Sequence, residues 1–299
     1  MGCSTAYHLM KNGCKDVVLL ERAKLTSGTT WHSAAQVRQL RSTESLTKLV
    51  QNSVKLYSSL EDETGQATGW QQSGSLSIAT NSDRLTHIRR QVSLSKAFGI
   101  GAEEISVKEA SEKWPLMRTN DLIGAVYSPS DGRVGPSDIC AALIKGAKSK
   151  GLQVYEDTRV AGIRTKNGRV SAVQTEQGEI TCETVVNCAG IWGRSIAAMV
   201  GVTAPLHACE HFYLLTELMD SITSPLPTLS DHDGHIYLRD EGGGLLVGCF
   251  EPKGKALDLE QLPENFVFDL LPEDWDHIEP IIINAIHRIP ELEQTGVKM

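Results

Sequence analysis

A chain of 299 residues holds one large core or two smaller ones, and 40% hydrophobic with 22% charged residues is ordinary globular composition. The net charge of −8 provides no basic face for a phosphate backbone, which argues against a nucleic-acid partner. No apolar run approaches the ~20 residues of a membrane span. The seven cysteines are odd in number and form no C-x-x-C pair, so they suit buried thiols in a reducing compartment better than a disulfide framework.

Residues Cys3–Asn12 read as a helix, with Gly2, Ala6 and Leu9–Met10 on one face and Gly13 as its stop. Structure therefore begins at once, and the N-terminus reads as neither signal nor transit peptide. Asp16–Glu21 is a short, nearly all-apolar run, as expected of a parallel strand covered on both sides. A helix followed directly by a buried strand is the second half of a βαβ unit, so the first strand of the unit is expected to be missing. Residues 44–61 carry apolar positions at helical spacing. A strand is expected at Ser75–Ala79 and a helix at Asp83–Phe98, with Ser82 as its cap. Ser137 is placed to cap a helix through Lys150 that buries Ile139, Leu143, Ile144 and Ala147.

A β-meander follows in Gln153–Tyr155, Arg159–Arg164, Arg169–Thr175 and Glu179–Glu183, with turns at Asn167–Gly168 and Gln177–Gly178. Thr184–Asn187 reads as one more buried strand, ending at Ala189–Gly190. Residues 207–250 alternate as antiparallel strands broken by a loop near Ser224–Pro227, and the chain is expected to be helical from Glu273. A meander inserted before the last strand of a dinucleotide-binding domain is the arrangement of the two-dinucleotide-fold flavoproteins.

Four segments bear chemistry, each with a plain alternative. In M-G-C-S-T-A-Y-H-L-M-K-N-G only Gly2 stands where the third glycine of a G-x-G-x-x-G turn would be, and Glu21 ends the next strand at about the 20-residue distance of a ribose-binding acid. Glu21 reads equally well as a solvated strand-end carboxylate. The run T-S-G-T-T-W-H-S-A (26–34) sets small hydroxyl residues around Gly28, where backbone can approach a flat ligand, or it is a packed loop. T-V-V-N-C-A-G-I-W (184–192) permits backbone contact at a strand's carboxyl end, or is an ordinary strand-to-helix turn. H-F-Y-L-L-T-E (211–217) with H-I-Y-L-R (235–239) offers His211, Tyr213, His235, Tyr237 and Arg239 toward a pocket, or toward ordinary cross-strand packing. No metal constellation and no nucleophile elbow appears.

These segments, together with V-V-L-L-E-R, L-E-D-E-T-G, T-G-W-Q-Q-S-G-S-L and P-L-H-A-C-E-H-F-Y-L-L-T-E, resemble the family of FAD-dependent amine oxidoreductases that contains sarcosine dehydrogenase, dimethylglycine dehydrogenase and the pyruvate dehydrogenase phosphatase regulatory subunit. The P-L-H-A-C-E-H-F-Y-L-L-T and E-D-W-D-H-I-E-P runs look most like the last branch. The resemblance implies an α/β fold: an FAD-binding Rossmann-like domain with inserted meander from residues 1–62 and 131–205, and a mixed-sheet substrate domain from 63–130 and 206–299. It implies that Gly2, Glu21 and Arg22 serve the ADP half of FAD, and that Ser27, Gly28, Thr29 and Thr30 line the cofactor. Val160 would hold the adenine through its backbone, while Ala189, Gly190 and Trp192 approach flavin or pyrophosphate. His32 matches the histidine joined covalently to the flavin in the dehydrogenases, and His211 and Tyr237 match positions that look catalytic.

The implied reaction is oxidation of an N-methyl amine such as dimethylglycine or sarcosine by hydride transfer to flavin. A cation should hold the substrate carboxylate, with Arg38, Arg41 and Arg239 as candidates. The alternative is a non-catalytic regulatory subunit that uses the same fold to bind the phosphatase catalytic subunit. The intact parent is expected in the mitochondrial matrix. The chain is expected to be truncated at both ends, lacking the folate-binding (tetrahydrofolate) half and holding FAD weakly on its own. Where the family has W-H-x-A-G this chain has Ala35, which is expected to bar glycine-only backbone conformations there.

Overall fold

The computed structural model describes all 299 residues. Helix α1 (Gly2–Lys11) buries Cys3, Ala6, Tyr7 and Met10 on one face, and Gly13 turns the chain away at φ 84°. Strand β1 (Val18–Leu20) follows, then the short β2 (Gln36–Val37) and α2 (Glu44–Thr64). Thr43 caps α2 by accepting from the Leu46 amide, and Gly65 ends it in the left-handed region at φ 60°. The middle of the chain supplies β3 (Ser75–Ala79), α3 (Ser82–Ala97), β4 (Glu103–Ile105), α4 (Val107–Lys113), β5 (Gly124–Ser128), β6 (Gly132–Arg133) and α5 (Pro136–Lys148).

Asn81, not Ser82, caps α3: its side chain accepts from the Arg84 amide at 2.9 Å, and Ser82 is already helical. Ser137 likewise does not cap α5. The helix starts from Gly135 with Pro136 in its first turn, and the Ser137 hydroxyl donates to Thr26 Oγ1 at 3.1 Å.

The meander is β7 (Gln153–Tyr155), β8 (Val160–Lys166), β9 (Arg169–Thr175) and β10 (Gly178–Thr181), and the short α6 (Gly193–Ala198) follows it. Strands β8, β9 and β10 pair antiparallel, whereas β7 pairs in parallel with β1 through Leu19 and Val154. Residues 184–187 form no strand. They make no backbone–backbone hydrogen bond and Val186 is 55% exposed, because no strand lies beside them; Asn187 Nδ2 donates to the Gly193 carbonyl at 2.7 Å, and the next residue, Cys188, lies 3.7 Å from Thr5 Oγ1 of α1. One core joins α1, α2 and α5 through Tyr7, Leu60, Ala142 and Leu143.

The last part comprises β11 (Cys209–Glu210), β12 (Tyr213–Leu215), β13 (Thr228–Asp231), β14 (Ile236–Glu241), β15 (Gly244–Cys249), β16 (Lys255–Ala256) and α7 (Trp275–Arg288). A seven-stranded sheet runs in the order β12-β15-β14-β13-β3-β5-β4, and every neighbour is antiparallel except β13 and β3. Alternation divides its faces. Leu76, Leu229, Ile236, Leu238, Leu245 and Val247 point into a core that Ile278, Ile281 and Ala285 of α7 close from outside. Each such side chain stabilises the fold by roughly 1.5–3 kcal/mol relative to exposure. The opposite face is capped by Ile88 of α3 over Ala79 and Val126. Over β12–β15–β14–β13 it carries Tyr213, Gly248, Tyr237, Arg239, Thr228 and Ser230 instead, and the segment after β1 lies on it.

Candidate active site

Arg239 fixes that segment to the sheet. Its Nε donates to the Ala34 carbonyl at 2.8 Å and its Nη1 to the Glu241 carboxylate. Arg38 crosses the β3–β13 seam on the same face, donating to Ser77 Oγ (3.3 Å), the Leu76 carbonyl (3.4 Å) and the Thr228 carbonyl (3.3 Å). No carboxylate pairs with Arg38, and burial draws its guanidinium down to about 10. Arg41 is exposed and is joined to Thr47 only through its backbone. Arg38 is thus the one of the three candidates left with charge to offer inside the molecule.

On the same face a row of rings runs across β12, β15 and β14. His32 stacks on Trp31 at 3.9 Å between centroids, its Nε2–H donates to the Asp269 carbonyl at 3.1 Å, and Nδ1 accepts from Tyr213 Oη at 3.3 Å. Burial lowers its pKa and keeps the ring neutral. Tyr213 and Tyr237 both stand opposite Gly248 in register, and the Tyr237 ring fills the space a Cβ at Gly248 would need. Tyr237 is 5% exposed and its hydroxyl is pushed well above the usual tyrosine range by burial. His211 stacks with Tyr237 at 6.3 Å and its Nδ1–H donates to Glu251 Oε2 at 2.6 Å. His235 does not join the row: at φ 58° it occupies the turn before β14.

A second region lies at the start of α1. A cavity of about 320 Å³ is lined there by Ser4, Thr29, Thr30, Ser33 and Cys140, and it opens beside the positive end of the helix. Gly2 adjoins Cys188 and Leu19, at ordinary contact distance for a Cβ. Ser27 is buried, with its carbonyl accepting from the Phe268 amide at 3.0 Å, and Trp192 lies against Gly28. Arg22 stacks on Trp192 at 4.6 Å and donates to the Glu264 carbonyl at 3.1 Å. Glu21 accepts from the Ala23 amide at 3.0 Å, and burial pushes its carboxyl above the usual range. The Glu21 carbonyl accepts from Thr158 at 2.8 Å, which brings β8 with Val160 to the carboxyl end of β1. Ala189 and Gly190 open the turn into α6, with Gly190 at φ 56°. Ala35, expected to bar such backbone, itself sits buried at φ 59°.

Four buried polar atoms between segment 31–38 and the sheet have no partner: Trp31 Nε1, Gln36 Nε2, Arg38 Nε and Thr228 Oγ1. Leaving each unsatisfied costs about 1–3 kcal/mol, and Arg38 Nε and Thr228 Oγ1, joined through the Arg38 bond to the Thr228 carbonyl, mark a seat for a polar ligand. The hydroxyl-lined cavity at α1 and this seat adjoin through Thr29–Ser33, and together they fit an extended, phosphate-bearing cofactor with a flat head. Gly248 and Glu251 were not singled out as site residues by the sequence reading. A glycine inside a strand was the available signal for Gly248, since it marks close approach of another group.

The chain matches the FAD dependent oxidoreductase family over residues 1–298, and it belongs to that family. Mouse sarcosine dehydrogenase, mitochondrial, is 42% identical over 100% of this chain and 33% of its own length. The mouse pyruvate dehydrogenase phosphatase regulatory subunit, mitochondrial, is 41% identical over 98% of this chain and 34% of its own length. The chain thus spans about a third of these relatives, and identity does not separate the two branches. Among solved structures, L-proline dehydrogenase from P. horikoshii superposes with a TM-score of 0.87 at 25% identity, covering 99% of this chain and 76% of that one. The α/β flavoprotein fold is therefore established. No helix is long and apolar enough to cross a membrane.

Proposed function

We propose that this chain is the amine-oxidising portion of a flavoenzyme acting on a small N-methyl amino acid of the sarcosine or dimethylglycine class. The observation that carries the reading is the ring row His32–Tyr213–Tyr237–His211 on one sheet face, running from the buried Tyr237 to the exposed His211 and accompanied by an arginine without a carboxylate partner. When bound, FAD supplies the two-electron acceptor for the amine's C–H bond. Gly2, Glu21 and Arg22 serve the ADP half, with Val160 at the adenine. Ser27, Gly28, Thr29 and Thr30 line the chain between, and Ala189, Gly190 and Trp192 approach the far side. Residues 1–62 and 131–205 form this FAD-binding domain, and 63–130 and 206–299 form the substrate domain. Arg38 takes the substrate carboxylate, Tyr237 gives the amine a flat, water-free wall, and His211 removes the ammonium proton so that the nitrogen lone pair is available. His32, held neutral with one ring nitrogen accepting, is suited to covalent attachment to the flavin.

The deciding experiment is anaerobic titration of the full-length protein with dimethylglycine and then sarcosine, followed by flavin absorbance. Bleaching supports the reading, while a bound flavin that neither amine reduces overturns it. Acid-precipitated protein should remain yellow, and His32→Ala should release the colour to the supernatant; release from the unsubstituted protein rules out the covalent link. A second reading is favoured by the 41% identity to a phosphatase regulatory subunit: the same fold would then bind the phosphatase catalytic subunit without turnover. Under either reading we place the parent in the mitochondrial matrix, which fractionation would check.

A further inference from the structure

We infer that Glu251 is a positioning residue of the amine site: its carboxylate holds the His211 imidazole with Nδ1 protonated, so that Nε2 is free to take the proton of the substrate ammonium. The inference rests on the role proposed above for His211. Glu251 follows β15 and reaches back to the strand beside it. Its Oε1 accepts from the Phe212 amide at 2.7 Å and its Oε2 from His211 Nδ1 at 2.6 Å. The carboxylate is 6% exposed, against 54% for the imidazole it holds. A buried acceptor pinned by a backbone amide on one oxygen cannot swing away, so the ring it holds keeps one tautomer.

The imidazole is open to solvent over about half of its surface. His211 and Glu251 line a cavity of about 510 Å³ shared with Phe250 and Gly254. Cys209 and Glu210 from β11 share that cavity, and Tyr237 from β14 stacks on the His211 ring. Glu210 is held by Lys255 of β16 at 3.1 Å, and Lys255 is shared with Asp274 at 2.7 Å. Burial alone would raise the Glu251 carboxyl. The hydrogen bond from His211 and the amides of Glu251 and Phe212 outweigh it, and the group stays below its usual value and ionised. In the step, the ammonium N–H bond breaks, its electron pair stays on the amine nitrogen, and the proton joins Nε2. The new imidazolium then lies against a fixed negative charge.

The test is Glu251→Gln in the full-length holoenzyme. Flavin reduction at neutral pH should slow by a factor on the order of ten or more, and the ascending limb of its pH profile should move to lower pH by about one unit. Flavin content and spectrum should not change. In a His211→Ala background the same substitution should have almost no further effect, because there is no ring left to orient. A pH profile identical to the parent's, or an equal fold-loss in both backgrounds, would overturn the inference. Should Glu251→Gln fail to hold flavin, Glu251→Asp carries the test: the retained charge should preserve the limb while the rate falls. If His211→Ala reduces at the parental rate, the role given to His211 fails, which is distinguishable from failure of Glu251 alone.

Discussion

Tyr237 lies flat across Gly248, and nothing but backbone separates its ring from the strand beneath. Gly248→Ala would drive a methyl into that ring. The expected result is a loss of about 1–3 kcal/mol in urea unfolding and, if the ring is the amine wall, a larger loss of flavin reduction than of flavin binding. Ala35 presents the opposite situation, a side chain where backbone geometry favours none. Ala35→Gly should raise stability by up to about 1 kcal/mol, since a left-handed non-glycine residue costs roughly 1–2 kcal/mol and glycine returns part of that as unfolded-chain entropy. A variant no more stable than its parent would show that the surrounding contacts already absorb the strain. His32, His211 and Tyr237 could be picked out in the sequence because short motifs surround them. Glu251 could not, because its partner lies 40 residues earlier in the chain and is reached only through the register of β12 on β15, which alternation alone leaves open.

Among the elements, α7 is tied to the sheet by one buried charge. Arg288, 2% exposed, donates to Asp231 at 2.9 Å, to both Asp121 oxygens at 2.8 and 2.9 Å, and to the Arg118 carbonyl at 2.7 Å. Arg288→Met would leave the buried Asp231 carboxylate uncompensated, and a loss of about 3–5 kcal/mol is expected. The pH dependence follows in sign. Arg288 holds the Asp121 carboxyl below its ordinary 3.8, so this contribution is complete above that value and disappears as pH falls through the lower, folded-state one. Acid unfolding of the variant should therefore show a shallower slope below pH 3.8 than that of the parent; equal slopes would assign acid sensitivity elsewhere. Helices were legible because their apolar spacing is local, although two caps were not: Asn81 and Gly135 each lie one or two residues ahead of the serine that composition favours. The stretch Thr184–Asn187 has strand composition without strand structure, because a strand is defined by its neighbour and composition carries no information on the neighbour's presence.

For the whole molecule, the two cores differ in how their backbones are secured. The seven-stranded sheet is continuous, while β1 has β7 as its sole partner and residues 184–188 have none. Hydrogen exchange on this 299-residue chain should show β14 and β15 among the slowest amides and residues 184–188 among the fastest. Protection of 184–188 equal to that of the sheet would contradict the arrangement described. The antiparallel meander of β8, β9 and β10 could be read from its alternation and its two turn signals. The parallel pairing of β13 with β3 could not, since antiparallel hairpins on both sides satisfy the same alternation.

That parallel seam has a bearing on how the protein is made. Leu76 meets Leu229 across it, so the chain between them, which contains all of α5 and the meander, must emerge before the two halves of the sheet can join. Arg38 finds Ser77 early in synthesis but Thr228 only late. Until then the edge of β3 that will meet β13 is unpaired, an exposure of about 8–30 seconds for the ~150 further residues at ~5–20 residues per second. Closing so long a loop is slow rather than strongly unfavourable, because its entropic penalty grows only with the logarithm of its length. Substitutions at the seam should thus lower the yield of folded protein in the cell before they lower the stability of the molecules that succeed in folding.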